Sequence, residues 1–152
     1  MTIELVWGTG EGATQLSAFD SSLADAGIHN YNLVTLSSVI PEGRTIEISG
    51  THEQNWSVGE LVAVVLAENE STVTGETIAA GLGWITAEEG GIFYEATAES
   101  SKNVESLLQR GLTSAKTDRE DWNWNSDIET KIVEHTVDEN GAAVVSAIYQ
   151  SI

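Results

Sequence analysis

Two adjacent hydroxyls, Ser37 and Ser38, interrupt an apolar run between Leu33-Val34-Thr35-Leu36 and Val39-Ile40-Pro41. Hydroxyls embedded in an apolar strand need partners or a task. One reading is a strand end with two hydrogen-bonded serines. The other is chemical. Where strained backbone brings the Ser38 Oγ onto the Ser37 carbonyl, the hydroxyl attacks and an ester replaces the peptide bond. β-Elimination then leaves dehydroalanine, and hydrolysis yields a pyruvoyl group at a new N-terminus. Periodicity alone leaves both readings open.

Other constellations are weak. His29, His52 and His135 lie far apart, with no metal-ligand spacing and no cysteine to join them. Each reads as a surface or interface residue, and no metal is expected. Glu134 beside His135 carries no signal, because neighbouring strand residues point to opposite faces. No nucleophile-elbow motif supports a serine–histidine–acid triad. Gly8-Thr9-Gly10-Glu11-Gly12 reads as a turn, but it matches neither the dinucleotide fingerprint nor the lysine-bearing phosphate loop. A carboxylate, Asp20, follows Leu16 by four residues, so the two are stacked neighbours if the segment is helical.

These residues sit in a chain of 152 with 24 acidic and 6 basic side chains, a formal charge of −18. Surface scaling for this size gives one domain exposing roughly 7,500 Å². Such a surface repels a phosphate backbone or an anionic lipid, so neither nucleic acid nor membrane is an expected partner. Dense hydrated carboxylate suits a cytoplasm at molar salt. The absence of cysteine excludes disulfides and thiolate chemistry. There is neither a membrane-length apolar run nor the pattern of a secretory signal, which makes cytoplasmic location the default.

The elements that must position the candidates follow from periodicity. Residues 3–7 read as a strand, and 14–26 as a helix with Leu16, Phe19, Leu23 and Ala26 on one stripe and Gly27 as its stop. Residues 31–40 read as one strand closed by Pro41, followed by strands at 44–48, 60–66, 77–85 and 91–97. Continuous apolar residues at 62–66 predict a strand covered on both faces. A second helix is expected over 101–112, buried through Val104, Leu107, Leu108 and Leu112. Trp122 and Trp124 lie in a polar loop and call for packing. Residues 128–137 and 142–149 read as a hairpin across Asn140-Gly141. The order suggests an α+β or layered α/β domain.

A resemblance adds to this reading. Asn32-Leu33-Val34-Thr35-Leu36-Ser37-Ser38-Val39-Ile40-Pro41 resembles the self-cleavage segment of archaeal-type pyruvoyl-dependent arginine decarboxylases. Glu11-Gly12-Ala13-Thr14-Gln15-Leu16-Ser17-Ala18-Phe19-Asp20, continuing to Ala26-Gly27-Ile28, is similar to that family's N-terminal loop and helix. Gly75-Glu76-Thr77-Ile78-Ala79-Ala80 resembles a central segment, and Ile128-Glu129 with Val133-Glu134-His135-Thr136-Val137 resembles its C-terminal strand. The similarity runs in order over nearly the whole chain.

The resemblance implies a single domain with an αββα sandwich fold, assembled as a homotrimer or a dimer of trimers with active sites between subunits. It implies self-cleavage into a β chain, 1–37, and an α chain, 38–152, headed by a pyruvoyl group made from Ser38, with no pyridoxal phosphate. Asn32 matches an asparagine near that group. Leu16 and Asp20 match the pocket for the guanidinium of L-arginine, for which a carboxylate is the right partner. His29, where the family commonly has a small residue, and Tyr31 fall beside that pocket. Glu95 matches the acid that returns a proton to Cα after carbon dioxide leaves a Schiff base, giving agmatine; burial should raise its pKa. Glu76 is the rival acid. Decarboxylation of another amino acid, or an uncleaved oligomeric binding protein of the same fold, are the alternatives.

Overall fold

The computed structural model describes residues 2–53 and 55–152. Elements follow the order β1 (Thr2–Glu11), α1 (Gln15–Asp25), β2 (Asn32–Thr35), β3 (Val39–Ile40), β4 (Thr45–Gly50), β5 (Leu61–Ser71), β6 (Thr77–Ala87), β7 (Gly90–Ala98), α2 (Ser101–Thr117), β8 (Glu129–Thr136) and β9 (Gly141–Ser151). The strands form two sheets, β2-β5-β9-β1-β4 and β3-β7-β6-β8. The first is mixed, with β1/β4 and β2/β5 parallel. The second is antiparallel throughout.

Strand alternation explains the layers. On β5, Ala63, Val65 and Ala67 face the second sheet and pack with Leu5, Leu82 and Phe93 in the core between the sheets. Val62 and Val64 face the other way, where α1 supplies Leu23 and the residue that caps its C-terminus, Ala26, packs beside it. That double covering is why 62–66 is continuously apolar. Helix α2 covers the outer face of the second sheet through Val104, Leu108, Leu112 and Ala115. The result is an α+β fold in helix–sheet–sheet–helix layers.

Four expectations change. Gly8 and Gly10 do not form a turn; they lie within β1 against α1. A Cβ on Gly8 would stand 2.4 Å from the Ser22 carbonyl oxygen, and one on Gly10 2.5 Å from the Ser22 nitrogen. Those glycines therefore let helix and strand touch. Residues 31–40 are not one strand but two, β2 and β3, in different sheets. The segments 128–137 and 142–149 do not pair as a hairpin: β8 pairs with β6, and β9 lies between β5 and β1. Asn140-Gly141 instead carries the chain from one sheet to the other. Finally, Leu16 is 75% exposed and Leu107 43% exposed, so neither belongs to its helix's buried stripe.

Candidate active site

The dipeptide Ser37-Ser38 is the crossing between the sheets. On its N-terminal side the Leu36 N–H donates to the Val64 carbonyl of the first sheet at 2.8 Å. On its C-terminal side the Phe93 N–H of the second sheet donates to the Ser38 carbonyl at 2.9 Å. One residue on, the Tyr149 hydroxyl donates to the Val39 carbonyl at 2.9 Å. The link is thus held at both ends by different layers. Ser38 has φ +130°, the one positive φ of a non-glycine among the described residues. Such backbone costs on the order of 1–3 kcal/mol and persists only where the surroundings impose it.

The serines open onto a cavity of about 450 Å³, lined also by Leu36, Val39, Arg44 and Tyr149. Burial pushes the Tyr149 phenol far above its ordinary value, against an opposing pull from the Arg44 guanidinium, so the hydroxyl stays a donor. Arg44 donates to the Tyr149 carbonyl at 3.4 Å and to the Gln150 Oε1 at 3.2 Å. Neither Tyr149 nor Arg44 stood out in the sequence, because nothing in spacing joins residues 38, 44 and 149.

Glu95 lies on β7, two residues past Phe93, and by alternation shares Phe93's face toward the first sheet. It is exposed in the single chain, and the partial burial it has already raises its carboxyl above the ordinary value. Glu76 stands elsewhere. Its Oε2 accepts from the Ser71 hydroxyl at 2.8 Å in the β5–β6 connection. The β6 partner of Phe93 is Trp84, eight residues further on, or about 27 Å of extended strand. Asn32 begins β2, with its side-chain amide donating to the Gly59 carbonyl at 2.9 Å.

A second cavity, about 510 Å³, brings together Leu16, Phe19, Asp20, His29 and Tyr31. Helix α1 presents Leu16 and Asp20 on one side. Its start is fixed by a capping box, Thr14 Oγ1 accepting from the Ser17 N–H at 3.0 Å and Ser17 Oγ from the Thr14 N–H at 2.9 Å. Gly27, at φ +82°, ends the helix and returns the chain toward the cavity with His29 and Tyr31. Behind Tyr31 stand His52 and Trp56, with ring centroids 5.6 and 5.5 Å away. His52, expected at a surface or interface, is instead buried within the single chain, and its Nδ1 lies 2.6 Å from Glu4 Oε1. Tertiary packing alone unites residues 4, 31, 52 and 56, which is why the sequence did not reveal them.

Comparison with known proteins identifies the family. The family model described as pyruvoyl-dependent arginine decarboxylase (PvlArgDC) matches residues 2–151. A pyruvoyl-dependent arginine decarboxylase of Halobacterium salinarum is 36% identical over 150 residues, covering 97% of this chain and 92% of the relative. One from Thermococcus sibiricus is 35% identical, covering 95% and 90%. One from Methanocaldococcus jannaschii is 34% identical, covering 96% and 87%. The chain belongs to the pyruvoyl-dependent arginine decarboxylase family.

Proposed function

We propose that this protein is a self-processing lyase that converts L-arginine to agmatine and carbon dioxide. The observation that carries the reading is the Ser37–Ser38 link, held by two sheets with Ser38 at φ +130°. Ser38 Oγ attacks the Ser37 carbonyl carbon and the peptide nitrogen leaves, giving an ester. Loss of the Ser38 Cα proton then breaks the Cβ–Oγ bond, so Ser37 departs as a carboxylate and residue 38 becomes dehydroalanine. Its enamine tautomerises, and water releases ammonia and leaves a pyruvoyl group. The products are chains 1–37 and 38–152.

The surroundings of Ser38 suit that group, since the Phe93 N–H already polarises the carbonyl that would adjoin its ketone. When formed, the pyruvoyl group supplies the ketone that captures an amine and the sink for the electrons left by carbon dioxide. Asp20 faces the guanidinium, with Leu16, His29 and Tyr31 shaping the pocket. Glu95, its carboxyl raised toward the protonated form, returns the proton to Cα. Asn32 sits at the head of β2, between the two cavities.

Within one chain those cavities lie at opposite ends of β2. Tyr31 lines one and Leu36 the other, about 17 Å apart along extended backbone, more than an arginine spans. The substrate is therefore taken between subunits, the guanidinium in one protomer and the α-carbon at the Ser38 of its neighbour. Exposed Val34, Leu36, Val39 and Leu61 flank the crossing and supply apolar surface for a homotrimer, alone or paired as a dimer of trimers. The charge of −18 fits assembly in a salt-rich cytoplasm.

Intact mass under denaturing conditions, after purification in high salt, tests the first half. Two species matching 1–37 and a blocked 38–152 are expected. Agmatine release from arginine tests the second. His29 favours weighing another amino acid as substrate, because it lines the pocket for the side-chain end. Unchanged preference among arginine, lysine and ornithine in His29→Gly would remove that reading.

A further inference from the structure

Arg44 is out of balance with its surroundings. In a chain with 24 carboxylates, no carboxylate stands within 4.0 Å of its guanidinium among the described residues. Its hydrogen bonds run only to neutral acceptors, the Tyr149 carbonyl and Gln150 Oε1. A guanidinium has five donors, and its planar fork is shaped for a carboxylate. Half-buried, it lines the same cavity as Ser37 and Ser38. No other lining residue of that cavity carries a charged side chain.

We infer that Arg44 is a preformed receptor for a carboxylate, the one released on Ser37 when the chain cuts itself. This rests on the processing reading above. Cleavage adds a negative charge to a molecule that is already strongly negative, and places it beside the cavity's one guanidinium. Among the described residues, the uncut chain offers Arg44 only those neutral acceptors. The cut chain gains a charge-assisted fork that holds the end of the β chain and draws it away from the pyruvoyl group.

A substrate α-carboxylate is the other source of the same chemistry, and it is the poorer match. An ion pair to the group that must leave as carbon dioxide stabilises the ground state and slows the reaction. The cavity also contains Ser37 itself.

The test compares Arg44→Gln in two backgrounds, the self-cutting chain and the uncut Ser38→Ala chain, by thermal unfolding at one fixed salt. Mass spectrometry confirms the state of each. The expected result is full cutting of Arg44→Gln, with a loss of melting temperature roughly 3–5 °C larger in the cut protein than in the uncut one. Arg44→Lys, which keeps the charge without the fork, should recover part of that difference. Equal losses in both backgrounds would overturn the receptor. So would a failure of Arg44→Gln to cut, or a raised KM for arginine with no differential loss, which would assign Arg44 to the substrate. A wild-type chain that never cuts would sink the processing reading and this site with it. A chain that cuts but shows equal losses sinks the site alone.

Discussion

Strain at one residue does chemistry only if the chain on either side cannot relax it away. Around Ser38 it cannot, because Leu36 is bonded to one sheet, and the Ser38 and Val39 carbonyls to Phe93 and to Tyr149 of β9. Ser38→Ala should therefore give a folded, uncut chain of full mass. Tyr149→Phe removes the hydroxyl clamp on Val39 and should slow cutting several-fold while the fold survives; unchanged cutting kinetics would deny Tyr149 that positioning role. In the proposed mechanism Glu95 carries the next step. Glu95→Gln on fully cut protein should lower kcat about 10²–10⁴-fold. The sign of its pH dependence follows from its raised carboxyl. The donor must be protonated, so kcat should hold above the range of an ordinary carboxylate and fall as pH rises through the raised value. In Glu95→Gln that alkaline limb should vanish, and a limb that persists belongs to another group.

Elements explain what could be read from sequence and what could not. The helices were legible because their signals are local: Thr14 and Ser17 cap α1, Gly27 stops it, and Val104, Leu108 and Leu112 recur at helical spacing in α2. Ser37-Ser38 was legible as an anomaly in an apolar run. Strand partners were not, because pairing is settled by contacts distant in sequence. Asn140-Gly141 has hairpin chemistry, yet the strands it joins belong to opposite sheets. Gly8 and Gly10 looked like a turn because their reason, the approach of α1, lies about twelve residues away. Gly10→Ala should accordingly cost about 3 kcal/mol, since its Cβ would meet helix backbone that cannot yield; a shift in urea midpoint near zero would contradict that contact. The sheets are also tied together by Glu11 of β1 and His135 of β8, 2.5 Å apart. Burial opposes ionisation of Glu11, but the Glu139 and Asp138 backbone and His135 outweigh it and lower its pKa from 4.5. A lowered folded value means stability present above the ordinary carboxylate pKa and lost as pH falls through the depressed one. Glu11→Gln should thus be less stable than wild type near neutrality, and the gap should close in acid.

At the scale of the whole molecule, charge and apolar surface pull in opposite directions. The chain exposes 7548 Å² carrying a net charge of −18, while Val34, Leu36, Val39 and Leu61 lie exposed along the edge where β2 passes into β3. Bringing several such chains together multiplies the repulsion, and only salt relieves it: the screening length falls from about 10 Å at 0.1 M to about 3 Å at 1 M. In the proposed assembly each catalytic centre combines the Asp20 cavity of one protomer with the Ser38 cavity of another. Lowering salt should therefore abolish turnover through dissociation, at a higher salt concentration than that at which the individual chain unfolds. Light scattering, agmatine release and far-ultraviolet circular dichroism measured along one KCl series should give two separated transitions. Mass and activity should fall together in the first, and helix and sheet signal in the second. Coincident loss of all three would mean that the subunit has no stability apart from its assembly. Full turnover by a monomer would place both ends of the substrate within one chain and overturn the proposed shared site.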